Sequence, residues 1–471
     1  MKTFTRKITD FNIGMNPNIY GDGIVRMEHF DTVTKQARPY NTLAAGTITG
    51  AYEKIVAFAS NVSTIYALAK LTASETPIIL SWDNSAHLWV SYQSLEVTGV
   101  RAFILHRYKG YFWGLRSGTH IWRMTSGSTS EAFQPLTYTN YAQPITHSKD
   151  ELMYFATDNK VTSFNGTTIS ASPLTLPTNF LITSMAENGD YINIVGYDTA
   201  TGKATMYKWD RDSSLATLTA KYEIGRDVPY HVVSLNGTVF VVSLAGYSTN
   251  TQISDEVKLI IRYVEGDKLK VLKQFRFVEA HIGGSYVQAD KIYFNLNGRM
   301  VGDSASHAVI AELDESGNIV FSQNVGINDA GNNVELPSIY REGDGFWIAG
   351  NGDGNWNTST GFTTVSKIET VKYSATEANK SLDFVGAVVK FEPLPASATV
   401  TLSTRANESA TWVSLAVFST DNSLKGVVTK QSASTTPAIA KERQFKIESY
   451  GGAVITGFQC DMVEVSDEAY G

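Results

Sequence analysis

One short pattern recurs along this chain and restricts its fold more than any other feature. In its clearest copy, Asn188-Gly189-Asp190 is a polar turn and Tyr191-Ile192-Asn193-Ile194-Val195-Gly196-Tyr197 a β-rich run. Asp198 to Lys203 is a second tight turn, and Ala204-Thr205-Met206-Tyr207-Lys208-Trp209 a second run. Turn residues bracketing β-branched and aromatic runs specify a hairpin. The opening of this pattern occurs seven times: at Tyr52, Lys109-Gly110-Tyr111, Lys149-Asp150-Glu151, Asn188, Asn236-Gly237-Thr238, Ala289-Asp290-Lys291 and Gly343-Asp344-Gly345. Successive openings lie about 40 to 57 residues apart, the interval of four-stranded propeller blades. Helical periodicity is almost absent. The expected fold is all-β, a β-propeller of about seven blades, with two packed sandwiches as the alternative this spacing leaves open.

Two other regions depart from the pattern. Residues 1–46 carry Gly, Asn and Pro punctuation and few apolar anchors, so they read either as an assembly arm lying on another surface or as a strand that closes the propeller. The polar stretch Tyr373 to Lys380 reads as a boundary, giving a propeller over 47–372. Beyond it, five alternating runs beginning near Asp383, Thr399, Trp412, Arg443 and Val454 predict a small β-sandwich over 381–471. Val400, Leu402 and Thr404 should face its core, leaving Thr399, Thr401 and Ser403 on a free face.

Composition agrees with strands and excludes several function classes. Of 471 residues 43% are hydrophobic and only 18% charged, and the aromatics are mostly 23 Tyr and 22 Phe, a mix that favours sheets. The net charge of −7 comes without any block of Lys and Arg, so no nucleic-acid partner is expected. Cys460 is the single cysteine, which rules out an intrachain disulfide and a multi-thiolate zinc site. No apolar run is long enough for a membrane span, and Met1 to Phe11 lacks the apolar core of a secretory leader.

Catalytic patterns are scarce. The eight histidines are scattered, and there is no His-Glu-x-x-His pair, Gly-x-Ser-x-Gly elbow or phosphate loop. Ser81-Trp82-Asp83-Asn84-Ser85 is similar to the Asp-box turn of sialidase-type propellers, but Ser85 stands at the glycine position; a hairpin turn is the plainer reading. Gly350 to Asn357 offers alternate oxygen ligands for calcium without the terminal bidentate Glu, and again reads as a turn. Tyr108, Tyr111, Trp113, Trp122, Trp347 and Trp356 have faces that stack on sugars, or that pack between blades. No catalytic, cofactor-binding or metal residue is assigned, and no enzyme activity or cofactor is expected.

Both ends of the chain resemble structural proteins of tailed bacteriophages. The resemblance rests on Asp10-Phe11-Asn12-Ile13-Gly14, Glu28-His29-Phe30-Asp31 and Arg38-Pro39-Tyr40 near the start. Near the end it rests on Val388 to Pro395, Ser403-Thr404-Arg405, Trp412 and Arg443 to Phe458. It implies a virion component of the tail, of nozzle or hub type, assembled in the host cytoplasm as a homo-oligomeric ring beside other tail proteins. A glycan-binding or glycan-cleaving propeller for host recognition is the alternative function.

Overall fold

The computed structural model describes residues 3–9, 15, 24–28, 30–31, 38–39, 43–45, 47–48, 52–60, 64–71, 77–83, 85–86, 88–94, 106–116, 120–125, 128–212, 218–248, 251–252, 256–288, 290–300, 307–324, 339–342, 345–349, 355–358, 365–407 and 410–466. Among them every regular element is a β-strand. The chain forms two compact units, Ala44–Ala308 with Ile327–Asn357, and Met1–Leu43 with Val309–Gly326 and Thr358–Gly471.

The first unit is a β-propeller. His106–Tyr108, Tyr111–Arg116, His120–Thr125 and Ser128–Pro135 form one antiparallel meander, in which spatial order follows sequence order. Ile145–Thr146, Met153–Thr157, Lys160–Phe164 and Ile169–Thr175 repeat it, as do Phe180–Asn188, Tyr191–Asp198, Ala204–Trp209 and Leu218–Gly225. Ahead of these, Tyr52–Ser60 begins a sheet that runs through Ile65–Leu71 and Pro77–Asp83 to Leu88–Ser94. The 21-residue strand Lys268–Gln288 pairs on both sides along different halves of its length. Its first half pairs with Val257–Glu265 and its second half with Lys291–Met300.

The inner strands close a ring. Tyr52–Ser60 neighbours His106–Tyr108, and Ile145–Thr146 neighbours Phe180–Asn188. Phe180–Asn188 neighbours Val228–Leu235, which neighbours Lys268–Gln288, then Ile339–Glu342, which returns to Tyr52–Ser60. A hydrogen bond of 2.9 Å between His106 Nε2 and Thr146 Oγ1 supplies the remaining link. Seven inner strands thus correspond to the seven repeats.

Each opening in the sequence is a strand start, and six of the seven mark the turn between a blade's first and second strands. The second strand is central in its sheet and flanked by other sheets, so it is buried on both faces: Met153–Thr157 throughout, Tyr191–Asp198 and Thr238–Ala245 everywhere but their ends. Positive φ at Gly189, Asn236 and Gly237 supplies the tight turns.

The second unit stacks two sheets. One has the order Thr3–Ile8, Ile455–Ser466, Lys380–Phe391, Lys425–Thr429. In the other, Ile319–Asn324, Ile24–Glu28, Ser366–Thr370, Glu442–Tyr450, Thr399–Arg405 and Val413–Phe418 follow one another. The core between them includes Ile368, Val400, Leu402, Ile447, Val389 and Met462. Phe445 sits centrally, its ring 6.0 Å from Phe384 and 5.4 Å from Phe458.

The expected domain boundaries of 1–46, 47–372 and 381–471 therefore need correction. The arm is divided: Thr3–Ile8 pairs with Ile455–Ser466 from Thr3↔Val463 to Ile8↔Phe458, and Ile24–Glu28 lies between two strands of the other sheet. Leu43–Ala45 joins Ile339–Glu342, Gly345–Ala349 and Asn355–Thr358 as the fourth strand of the last blade. Ser366–Thr370 belongs to the sandwich rather than the propeller, because its partner is Glu442–Tyr450. All five expected sandwich runs are strands, and Lys425–Thr429 is an additional one. The face assigned to Thr399, Thr401 and Ser403 is not free: Ser403 is 4% exposed. Register places Lys446 opposite Ser403 and Glu448 opposite Thr401, and these long side chains cover the shorter ones.

Candidate functional site

Among the described residues, three junctions between inner strands of the propeller carry a histidine. At the junction of the fifth and sixth inner strands, His231 Nε2 donates to the Gly283 carbonyl at 2.7 Å and Ser285 Oγ lies 3.2 Å from Nδ1. A serine hydroxyl beside an imidazole is the start of a nucleophile–base pair. Burial, however, lowers the His231 pKa to about 4, against the opposing pull of the Gly283 carbonyl. So weak a base has little affinity for a serine proton at neutral pH, and the orienting partner is a carbonyl rather than a carboxylate. The pair is a cross-link between strands.

His106 joins the second and third inner strands through Thr146, and burial likewise lowers its pKa to about 4. Beside it is a cavity of about 10 Å³ lined by Trp113, Leu115, Ile121, Met153 and Phe155. That is room for one water at most, and the lining is apolar.

The richest cluster lies between the third and fourth blades. His147 is fully buried; its Nδ1 accepts the Lys149 amide at 3.3 Å, and its Nε2 lacks a hydrogen-bond partner, with Glu187 Oε1 at 3.9 Å. Glu187 Oε1 accepts the Ser148 amide at 3.1 Å and the Ser148 hydroxyl. Asp150 accepts the Leu152 amide at 3.1 Å and the Tyr154 hydroxyl at 2.9 Å, and pairs with Arg211. Arg211 also donates to the Asp190 carbonyl at 3.0 Å, and Lys149 pairs with Asp190.

Burial first, then the Arg211 charge, holds the His147 pKa below its usual value, although Glu187 and Asp150 pull the other way. Burial opposes ionisation of Asp150, yet the Leu152 amide, Tyr154 hydroxyl and Arg211 outweigh it and keep the carboxyl below the usual range. Burial and then Asp150 raise the Tyr154 phenol. Every group but His147 Nε2 is thus committed to a neighbouring turn. The arrangement suits holding two blades together, and no group of three metal-ligating side chains converges among the described residues.

The features singled out in the sequence resolve in the same direction. Asp83 Oδ1 accepts the Ser85 amide at 2.8 Å, the Ser85 hydroxyl at 2.6 Å and the Ala86 amide at 3.1 Å. Asn165 and Asp198 cap their turns in the same way, so the Asp-box likeness is that of a capped hairpin turn. Tyr108, Trp113 and Trp122 are at most 4% exposed and pack inside the sheets. Tyr111 stacks against Trp113 and Arg123. The side chains of Trp347 and Trp356, and most of the Gly350 to Asn357 loop, lie outside the described residues. Cys460 is buried, and that burial raises its thiol pKa.

Exposed apolar side chains have a different distribution. Among the described residues Val385, Val417, Leu424, Val427 and Tyr450, all 40% exposed or more, lie in the sandwich, and Val271 and Val287 in the propeller. Sequence reasoning missed Leu424 and Val427 because Lys425–Thr429 was hidden in a Ser/Thr-rich stretch.

No family model and no curated protein matches this chain. Among solved structures it is similar to the WD40 β-propeller domain of Doa1, at 11% identity and a TM-score of 0.43 over 68% of this chain and 96% of that one. It is also similar to YCF48 from Cyanidioschyzon merolae, at 7% identity and 0.42 over 67% and 98%. The computationally designed Ika8 protein gives 10% identity and 0.41 over 73% and 99%.

Proposed function

We propose that this chain is an architectural protein of a tailed-bacteriophage virion, a tail component of nozzle or hub type that assembles as a homo-oligomeric ring. The observation carrying this reading is that Val385, Leu424 and Val427 are exposed on or beside the sheet holding Lys380–Phe391 and Lys425–Thr429, since exposed apolar patches mark interaction surfaces. The resemblance of both chain ends to tail structural proteins supplies the setting. In this reading the propeller is a stiff spacer, its inner strands cross-linked by His106 and His231, and the sandwich makes contacts. The test is incorporation. Particles assembled without the chain should lack a complete tail and regain it when the chain is added back; complete, infectious particles without it would overturn the reading.

A further inference from the structure

We infer that the outward face of the sheet containing Lys380–Phe391 and Lys425–Thr429 docks onto the acidic turns between the third and fourth propeller blades of a second copy of this chain. The inference deepens the assembly reading above by naming the two surfaces that meet.

The docking face follows from strand alternation. Ala387, Val389, Gly426 and Val428 point into the core, so Val388, Lys390, Lys425 and Val427 point out. Register sets Val388 opposite Val427 and Lys390 opposite Lys425. Two like charges directly opposite on neighbouring strands destabilise the pair, and among the described residues no carboxylate pairs with either lysine. Beside them Val427 is 55% and Leu424 61% exposed. The next strands continue the row through Gln459 to Lys7. The result is an apolar pair, Val388 and Val427, flanked by Lys390 and Lys425, with Asp461 tied to Thr5 further along the same face, on a chain whose net charge is −7. Its charge complement is a surface carrying carboxylates.

Such a surface exists on the same chain. The turns following Ile145–Thr146, Phe180–Asn188 and Ala204–Trp209 carry Asp150, Glu151, Asp190, Asp210 and Asp212, and Glu187 stands at the end of Phe180–Asn188, six carboxylates against the two cations Lys149 and Arg211. Arg211 and Lys149 tie these turns together, while Glu151, Asp190 and Asp210 are exposed. A basic face and an acidic face on separate units of one chain make a heterologous, head-to-tail contact. Repetition of such a contact gives a closed ring or an open filament.

Complementation of two full-length variants tests this. Lys390→Gln with Lys425→Gln neutralises the basic face, and Glu151→Gln with Asp210→Asn neutralises the acidic one. Wild type should self-associate at tens of micromolar in low salt and dissociate as salt rises. Each double variant alone should be monomeric with an unchanged melt. An equimolar mixture of the two variants should stop at a 1:1 heterodimer by native mass spectrometry, because each retains one competent half. A monomeric wild type, variants that associate as well as wild type, or a mixture that stays monomeric would each overturn the inference. None of these outcomes bears on whether particles need the chain, so the assembly reading is judged separately by incorporation.

Discussion

Ser285 and His231 lie on neighbouring inner strands, hydroxyl to ring nitrogen at 3.2 Å, while the other nitrogen of the ring donates to the Gly283 carbonyl at 2.7 Å. Burial favours the neutral ring, and with Nε2 donating to the carbonyl, Nδ1 of that neutral ring accepts the serine hydrogen. The same neutral state is favoured at His106 and His147, so acid should attack the blade junctions together.

The sign of this effect is fixed by the direction of the shifts. His106 and His231 fall from 6.5 in the open chain to about 4 in the fold, and His147 falls as well. Between those values the unfolded chain binds more protons, so stability rises with pH. The contribution should be complete above about pH 6.5 and fade as pH drops toward 4, by roughly 2 to 3 kcal/mol for His231. Urea unfolding at pH 7 and at pH 4.5 should show the loss, and His231→Gln should flatten it. An acid limb that is identical in the variant would remove His231 from the account.

Glu187 anchors the third blade to the fourth through Ser148. Glu187→Ala should take the acceptor from the exposed Ser148 amide and hydroxyl and cost about 0.5 to 1.5 kcal/mol. Glu187→Gln keeps an acceptor oxygen and should cost less than half as much. Equal losses in the two variants would mean that the charge, not the hydrogen bonds, holds the junction.

Gly196 sits where a side chain has no room. A Cβ there would lie 2.1 Å from the Leu181 carbonyl oxygen and 2.7 Å from the Phe180 ring. Gly196→Ala should therefore destabilise the propeller by about 2 kcal/mol or more through backbone displacement, read as a shifted denaturation midpoint. A midpoint unchanged within error would show that the strand yields cheaply.

The sandwich should not fold from residues 381–465 alone, because Thr3–Ile8, Ile24–Glu28 and Ser366–Thr370 supply strands to both of its sheets. Deleting residues 1–9 from the full chain should lower the melting transition of this unit by roughly 5 °C or more, and a peptide carrying Thr3–Ile8 should recover part of it. A cooperative melt from 381–465 at the full-chain temperature would show those strands to be dispensable.

What the sequence discloses follows the range of each interaction. The second strand of each blade is legible because it is buried on both faces and preceded by a turn with its own chemistry, as at Asn188-Gly189 and Asn236-Gly237. The inner strand is often illegible. His106–Tyr108 and Ile145–Thr146 are two or three residues long and partly polar, too short for a period to register. Unit boundaries fail for another reason: the partner of Thr3–Ile8 is Ile455–Ser466, and pairing at that separation leaves no local mark on either segment. His106 and His231 are invisible for the same cause, since each is a lone residue in sequence and becomes a cross-link only when the ring closes.

The pairing of Thr3–Ile8 with Ile455–Ser466 also imposes a schedule on biosynthesis. Thr5 and Asp461, hydrogen-bonded at 2.6 Å, are 456 residues apart, and at about 5–20 residues per second the early strand waits on the order of half a minute or more for its mate. Throughout that interval it is a bare edge, able to pair with the matching strand of an older chain on the same messenger. Copies translated side by side can therefore exchange this strand before either is complete, leaving them interlocked from the ribosome onward.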